Sequence, residues 1–205
     1  MLNKKTLTVF LIANSLYILY FILLMIWLKE PIITDVFRQP VILSNSVLAI
    51  IQIIMSVLSL TVYIGLAWSL SQYHEKVWVV ISVWVYLLLQ LYFNILSVLN
   101  IYRVPLPYVF YNYTAYINYA VLLYMIVSLL LVKETVIKNY YRLFAIIILI
   151  SVLLVRFTPV LYDKYGLKWA LINPGILKII PFFVSLFLFI KLSKLVNRKI
   201  ASIKN

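Results

Sequence analysis

Residues 77–101 read VWVVISVWVYLLLQLYFNILSVLNI and contain no charged side chain. The hydrocarbon core of a bilayer is crossed by a helix of about 20 predominantly apolar residues, so this stretch is long enough to span a membrane. Because hydrocarbon offers the backbone no water to pair with, a spanning segment must close its hydrogen bonds internally as an α-helix. The stretch therefore predicts a transmembrane helix.

The rest of the 205-residue chain repeats this pattern in five further apolar runs, and its mean hydropathy is +1.09. These runs predict an all-α, polytopic integral membrane protein, a helical bundle of about six transmembrane helices. We expect a single membrane domain over residues 1–205, with no soluble domain. The predicted spans are about 7–28, 47–70, 77–101, 116–132, 143–162 and 172–193.

Basic residues predict how the chain sits in the membrane. The 18 Lys and Arg residues outnumber the 5 acidic ones, and the formal net charge is +13. Because the basic residues lie beside apolar runs, lipid contact and membrane topology explain them better than a nucleic-acid partner. With the N-terminus inside, eleven of them are cytoplasmic and seven are outside. We therefore predict a multi-pass protein of the cell membrane with both termini in the cytoplasm.

The third span carries a polar stripe. Its members recur three or four residues apart, which places them on one helical face: Ser82, Tyr86, Gln90, Asn94 and Ser97. The second span has a similar stripe that includes Gln52. Two interpretations stay open. The stripes face each other and join the helices by hydrogen bonds, for which uncharged amides and hydroxyls are the ordinary material, or they line a cavity for a polar solute. Gln52, Gln90 and Asn94 are the candidate residues in either case.

Two cations lie near the predicted outer ends of the fifth and sixth spans. Arg156 and Lys178 have long stems, so their charges can reach the headgroup region by snorkelling. Alternatively, they form an anion site beside the helix start at Asn173-Pro174, whose free amides also favour anions. Pro181 is expected to kink the sixth helix. Three glycines without a G-x-x-x-G pair predict that glycine grooves do not dominate the packing.

Residues that could carry catalysis are scarce. The chain has no Cys and one His, and none of its acids falls in the middle of a span. His74 and Glu75 share a short turn, but adjacent side chains rarely converge on one substrate, so a solvated turn is the simpler interpretation. Zinc-protease, serine-hydrolase and nucleotide-binding motifs are absent. We predict a protein that is not an enzyme and that has no catalytic residue, metal site or cofactor.

These observations favour a non-catalytic subunit or accessory component of a membrane complex, with the lipid bilayer and a membrane-protein partner or a second copy as its contacts. The tyrosine-rich segment 102–119 suits either such contacts or a belt at the membrane interface. The alternative is a small transporter or solute-binding subunit that uses the polar stripe and the outer cations. In size and helix count the chain is similar to the substrate-binding components of energy-coupling-factor transporters. Those components usually carry alanines spaced four apart in the first helix for docking, whereas here Ala13 is followed by Tyr17.

Overall fold

The computed structural model describes residues 3–27, 44–102, 108–165 and 179–204. These ranges contain six helices and no strand, and every helix is long and apolar enough to cross a membrane. The predicted all-α bundle of about six membrane helices is therefore confirmed. The helices are α1 (Lys4–Trp27), α2 (Asn45–Gln72), α3 (Val77–Ile101), α4 (Tyr108–Leu130), α5 (Thr135–Tyr165) and α6 (Ile180–Lys204).

The last two helices differ most from the predicted spans. Helix α5 begins at Thr135 instead of 143, so Lys138 and Arg142, which precede the predicted span, lie within its first turns. Arg142 donates its Nε–H to the carbonyl of Leu130, the last residue of α4, over 2.9 Å. Such a bond satisfies a carbonyl that the helix end leaves free. Helix α6 begins at Ile180 instead of 172, and Pro181 is its second residue, where proline is tolerated. The residues just before Ile179 lie outside the described ranges, so the expected kink stays a prediction.

A tight turn joins α2 to α3. His74 has a φ of 53°, and its amide bonds back to the Ser71 carbonyl over 3.1 Å. The amide of Glu75 bonds to the Leu70 carbonyl over 3.2 Å. These two bonds define a Schellman motif, whose left-handed position is usually occupied by glycine. Here a histidine occupies it, so the turn carries local backbone strain.

The six helices form a closed ring. Each packs against its neighbours in sequence, and α1 also packs against α6. Phe10, early in α1, lies beside Phe189, two turns into α6, whereas Tyr17, further along α1, stacks on Phe182 near the start of α6. Helices α1 and α6 are therefore antiparallel. The connections at 73–76 and 131–134 lie at the same end of the ring, which we call the turn end.

The half of the ring nearest the turn end is filled with side chains. Phe10 and Phe189 both lie against Gly65 of α2, where a Cβ atom would be 2.7 Å from Phe10 Cγ and 2.8 Å from Phe189 Cζ. Tyr141 of α5 is fully buried and crosses the ring to α2, and its hydroxyl donates to the Leu66 carbonyl over 2.6 Å. No glycine motif predicts this contact, yet one glycine lets two rings reach the same helix.

The surface of the ring carries exposed large apolar side chains, among them Val57, Leu88 and Phe187, which are 58–60% exposed. In water such a surface would aggregate, whereas in a bilayer it meets lipid of its own polarity. Together with the six long apolar helices, this surface fits a multi-pass membrane protein.

Candidate functional site

A cavity of about 690 Å³ lies inside the ring, in the half away from the turn end. Its volume is in the range of small-molecule sites. All six helices contribute residues to its wall. One lining residue from each helix, in chain order, is Tyr17, Gln52, Asn94, Asn118, Ser151 and Pro181.

The polar wall of this cavity comes from α2 and α3. Gln52, Gln90 and Asn94, the three residues that the sequence analysis singled out, all line it. Gln52 Nε2 donates to Asn94 Oδ1 over 3.3 Å and so joins the two helices. The side chain of Tyr86 lies beside those of Gln90 and Tyr63, and its ring meets the Tyr63 ring edge-on. The two stripes thus meet each other and also line the cavity, and the use of that cavity by a polar solute stays a prediction.

Helical periodicity explains why these side chains point inward. Tyr86, Gln90 and Asn94 are four residues apart and share the inner face of α3, whereas Leu88 and Ile95 lie on the opposite face and are more than half exposed. The stripe does not continue to the end of the helix, because Ser97 is exposed. Only the middle of the predicted stripe therefore belongs to the cavity.

Several polar atoms of the wall remain available to a solute. Ser56 donates its hydroxyl to the Gln52 carbonyl over 2.6 Å, and Ser59 donates to the Ser56 carbonyl over 3.0 Å, so their oxygen lone pairs are left to accept. The amide oxygen of Asn118 is buried and accepts no hydrogen bond from the described residues. A buried acceptor without a partner costs about 1–3 kcal/mol, but almost none of the surface of this oxygen is open to the cavity, so the serine hydroxyls are the acceptors that a solute would meet.

Aromatic rings form the side of the cavity nearest the packed half. The rings of Tyr17 and Phe182 stack with their centroids 3.8 Å apart. Tyr63 meets Phe182 edge-on at 6.1 Å and Tyr86 edge-on at 5.3 Å. Edge-to-face and offset-stacked rings are favourable geometries, and they leave a rigid apolar surface beside the amides. The cavity therefore offers hydrogen bonds on one side and ring faces on another.

No described residue that lines the cavity is Asp, Glu, Lys, Arg or His. The described ranges also contain no group of three His, Cys, Asp or Glu residues placed to hold a metal ion. Amide and hydroxyl groups exchange hydrogen bonds readily, but they are poor general acids and bases near neutral pH. The chemistry of this wall suits the binding of an uncharged, polar molecule.

Asn14 plays a different part from the cavity residues. It is fully buried, and its Nδ2 donates to the Phe182 carbonyl over 3.1 Å and to Ser185 Oγ over 2.8 Å. These bonds join α1 to α6 and close the ring beside the Tyr17–Phe182 stack. The amide oxygen of Asn14 has no partner among the described residues.

The predicted anion site lies mostly outside the described residues. Lys178 falls in the segment 166–178, which the structure does not describe. Arg156 belongs to α5, four residues beyond the cavity residue Val152, but its side chain is likewise outside the description. The pairing of Arg156 with Lys178 stays a prediction.

The turn that holds His74 and Glu75 lies at the opposite end of the bundle from the cavity. Glu75 Oε1 accepts the amide of Lys133 over 2.9 Å and that of Glu134 over 2.6 Å. One carboxylate therefore joins the two connections of the turn end, directly ahead of α5. Nearby, burial raises the pKa of Tyr73, and the charge of Glu134 raises it further. These contacts give Glu75 a structural role.

Of the aromatic side of the cavity, sequence reasoning found Tyr86, as a member of the stripe, but missed Tyr17 and Phe182. As aromatic residues in apolar spans, these two have no distinguishing signal, and neither does Leu122, which also lines the cavity. Ser151 could have been noticed as a hydroxyl within the apolar run of the fifth span. Which of the many tyrosines face inward depends on how six helices are rotated, and the sequence of one chain does not state this.

Comparison with protein-family models, with curated proteins and with solved structures found no match for this chain.

Proposed function

We propose that this chain is a non-catalytic membrane protein that binds an uncharged polar solute within its helix ring, as a small transporter or as the solute-binding subunit of one. The observation that carries the proposal is the cavity of about 690 Å³, to which all six helices contribute amides, hydroxyls and rings. Amides that only join helices need no open volume beside them, whereas the side chains of Gln52, Gln90 and Asn94 all line one.

The chemistry of the wall narrows the solute class. Four carboxamides, those of Gln52, Gln90, Asn94 and Asn118, can each donate and accept hydrogen bonds. The rings of Tyr17 and Phe182 add a flat apolar surface. Burying a charged solute in such a wall would cost several kcal/mol without a counter-charge. We therefore propose a neutral molecule with hydrogen-bonding groups and an apolar or aromatic part.

The proposed orientation places the cavity toward the outside. If both termini are cytoplasmic, as the distribution of Lys and Arg favours, the turn end faces the cytoplasm. The cavity then lies in the outer half of the membrane, and a solute would enter it from the side away from the cytoplasm.

The experiment is an untargeted small-molecule analysis of the purified full chain. Wild-type protein and the Asn94→Leu variant are isolated from native membranes in mild detergent, and bound solutes are extracted and identified by mass spectrometry. Asn100→Leu is the matched control, because Asn100 lies on the same helix but is exposed and does not line the cavity. We expect a neutral solute that wild type and Asn100→Leu retain and Asn94→Leu loses. Equal solute profiles in all three proteins would contradict the proposal.

A role as a subunit of a membrane complex is the second candidate, and it is compatible with the first. Tyr113 and Tyr116 near the start of α4 are 67% and 74% exposed. Tyrosine is enriched in protein–protein interfaces and also in belts at the membrane surface. An interface would be supported if a stoichiometric partner co-purifies with wild type and is lost from the double variant Tyr113→Ser/Tyr116→Ser. A chain that purifies alone would favour the belt.

A further inference from the structure

A second depression lies on the outer surface of the bundle, between α5 and α6 and near the turn end. It is a groove of about 360 Å³. Leu143 and Phe187 in this groove are 48% and 60% exposed, so it opens toward the surface that lipid covers. The residues that matter for its chemistry are Leu143, Val184, Phe187, Tyr140, Lys191 and Lys194.

The groove is apolar toward the middle of the bundle and basic toward the turn end. Val184, Phe187, Lys191 and Lys194 follow each other at spacings of three and four, so they share one face of α6. Because α6 runs toward the turn end, both lysines lie nearer that end than the two apolar residues. A phospholipid has the same polarity along its length, with acyl chains toward the middle of the membrane and a phosphate at its surface.

The two lysines present positive charge that the described residues do not neutralise. The Lys191 ammonium lies 5.1 Å from the centroid of the Tyr140 ring, a cation–π contact that holds it at the groove. In the part of the chain that the structure describes, neither Lys191 nor Lys194 forms an ion pair with an acidic side chain. Adjacent uncompensated ammonium groups at a membrane surface attract anionic lipid headgroups.

We propose that this groove binds an anionic phospholipid, with an acyl chain along Leu143 and Phe187 and the phosphate between Lys191 and Lys194. A zwitterionic lipid carries a positive group beside its phosphate, so the same lysines attract it less. The groove therefore selects an anionic lipid from the surrounding bilayer, and the bound lipid fills the gap between α5 and α6.

The test is native mass spectrometry of the full chain in detergent with equal amounts of dioleoyl phosphatidylglycerol and dioleoyl phosphatidylcholine. We expect wild type to retain phosphatidylglycerol in preference to phosphatidylcholine. The double variant Lys191→Gln/Lys194→Gln should lose about tenfold or more of this preference, since each basic residue near a membrane surface contributes about fivefold. Lys191→Arg/Lys194→Arg should keep it. Lys76→Gln/Lys133→Gln removes two exposed lysines at the turn end outside the groove, and this control should bind as wild type does.

A variant of the apolar part makes the test independent of charge. Leu143→Trp places a larger side chain in the groove and leaves both lysines in place. It should weaken retention of phosphatidylglycerol if an acyl chain lies there. If the lysines bound only a free phosphate group, this variant would bind as wild type does, and the proposal would fail. Equal retention of the two lipids by wild type would also overturn the proposal. So would a loss of preference in Lys76→Gln/Lys133→Gln as large as that in Lys191→Gln/Lys194→Gln.

Discussion

Replacing Gly65 by alanine tests the packed half of the ring. The added Cβ would lie 2.7 Å from Phe10 Cγ and 2.8 Å from Phe189 Cζ, about 0.7 Å and 0.6 Å closer than an ordinary contact of 3.4 Å. Both rings are buried, and they belong to different helices. Relief therefore requires α1 and α6 to move away from α2, and overpacking of this kind costs about 1–3 kcal/mol.

Helix propensity acts in the opposite direction at this position. Alanine is favoured over glycine in a helix interior by about 1 kcal/mol. Because two buried rings must move, we expect the steric cost to exceed this gain, and Gly65→Ala to lower the free energy of unfolding by up to about 2 kcal/mol. Gly65→Val should lower it further, since a branched side chain reaches both rings.

The assay is reversible unfolding of the purified protein in mixed micelles, followed by circular dichroism and tryptophan fluorescence. Ile64 supplies the control, because it is the next residue of α2 and is 37% exposed. The pair Ile64→Ala and Ile64→Gly measures the propensity difference without the clash, and alanine should be the more stable. If alanine is also the more stable residue at 65, Phe10 and Phe189 do not both lie on α2, and the ring closure described here is wrong.

Three further substitutions test the contacts around the turn end, with the same unfolding assay. Glu75→Ala leaves the amides of Lys133 and Glu134 without their charged acceptor and should lower the free energy of unfolding by about 1–2 kcal/mol. Glu75→Gln should lower it less. An unchanged unfolding midpoint in Glu75→Ala would contradict the contact. His74→Gly relieves the left-handed backbone and should raise stability by about 0.5–1 kcal/mol, and a loss would argue against the Schellman motif. Tyr141→Phe should cost only about 0.5–1.5 kcal/mol, because the Ser69 hydroxyl also donates to the Leu66 carbonyl, over 2.9 Å, and this bond remains. A cost above about 3 kcal/mol would exclude this reasoning.

The fold could be predicted because its signal lies in composition. A run such as 77–101 has no charge and the length of a bilayer, so its conformation follows from the solvent alone. Helix ends were harder where charged residues continue a helix beyond the apolar run. Arg142 precedes the predicted span 143–162, but its guanidinium binds the end of α4 from within α5. Pro181 suggested a kink because the helix was expected to begin at 172.

The cavity residues were predictable only in part. Gln90 and Asn94 stand out because amides are costly in hydrocarbon, and their spacing places them on one face. The sequence could not state whether this face meets another helix or an open volume, since that depends on the rotation of all six helices. Tyr17 and Phe182 carry no signal of this kind. They have the chemistry of any interior residue, and only their position in the ring brings them to the cavity.

The proposed solute site requires that water reaches the polar cavity inside the ring. The chain has no cysteine, so single cysteines can be introduced at chosen positions. Asn94→Cys lies on the cavity wall, whereas Ile95→Cys, one residue further, replaces a side chain that is 52% exposed and does not line the cavity. In sealed proteoliposomes we expect a membrane-impermeant thiol reagent to label Asn94→Cys from one side of the membrane and to leave Ile95→Cys unlabelled, because a thiolate forms only where water is present. If Asn94→Cys resists the reagent from both sides as Ile95→Cys does, the polar stripe only joins helices and the cavity is no solute site.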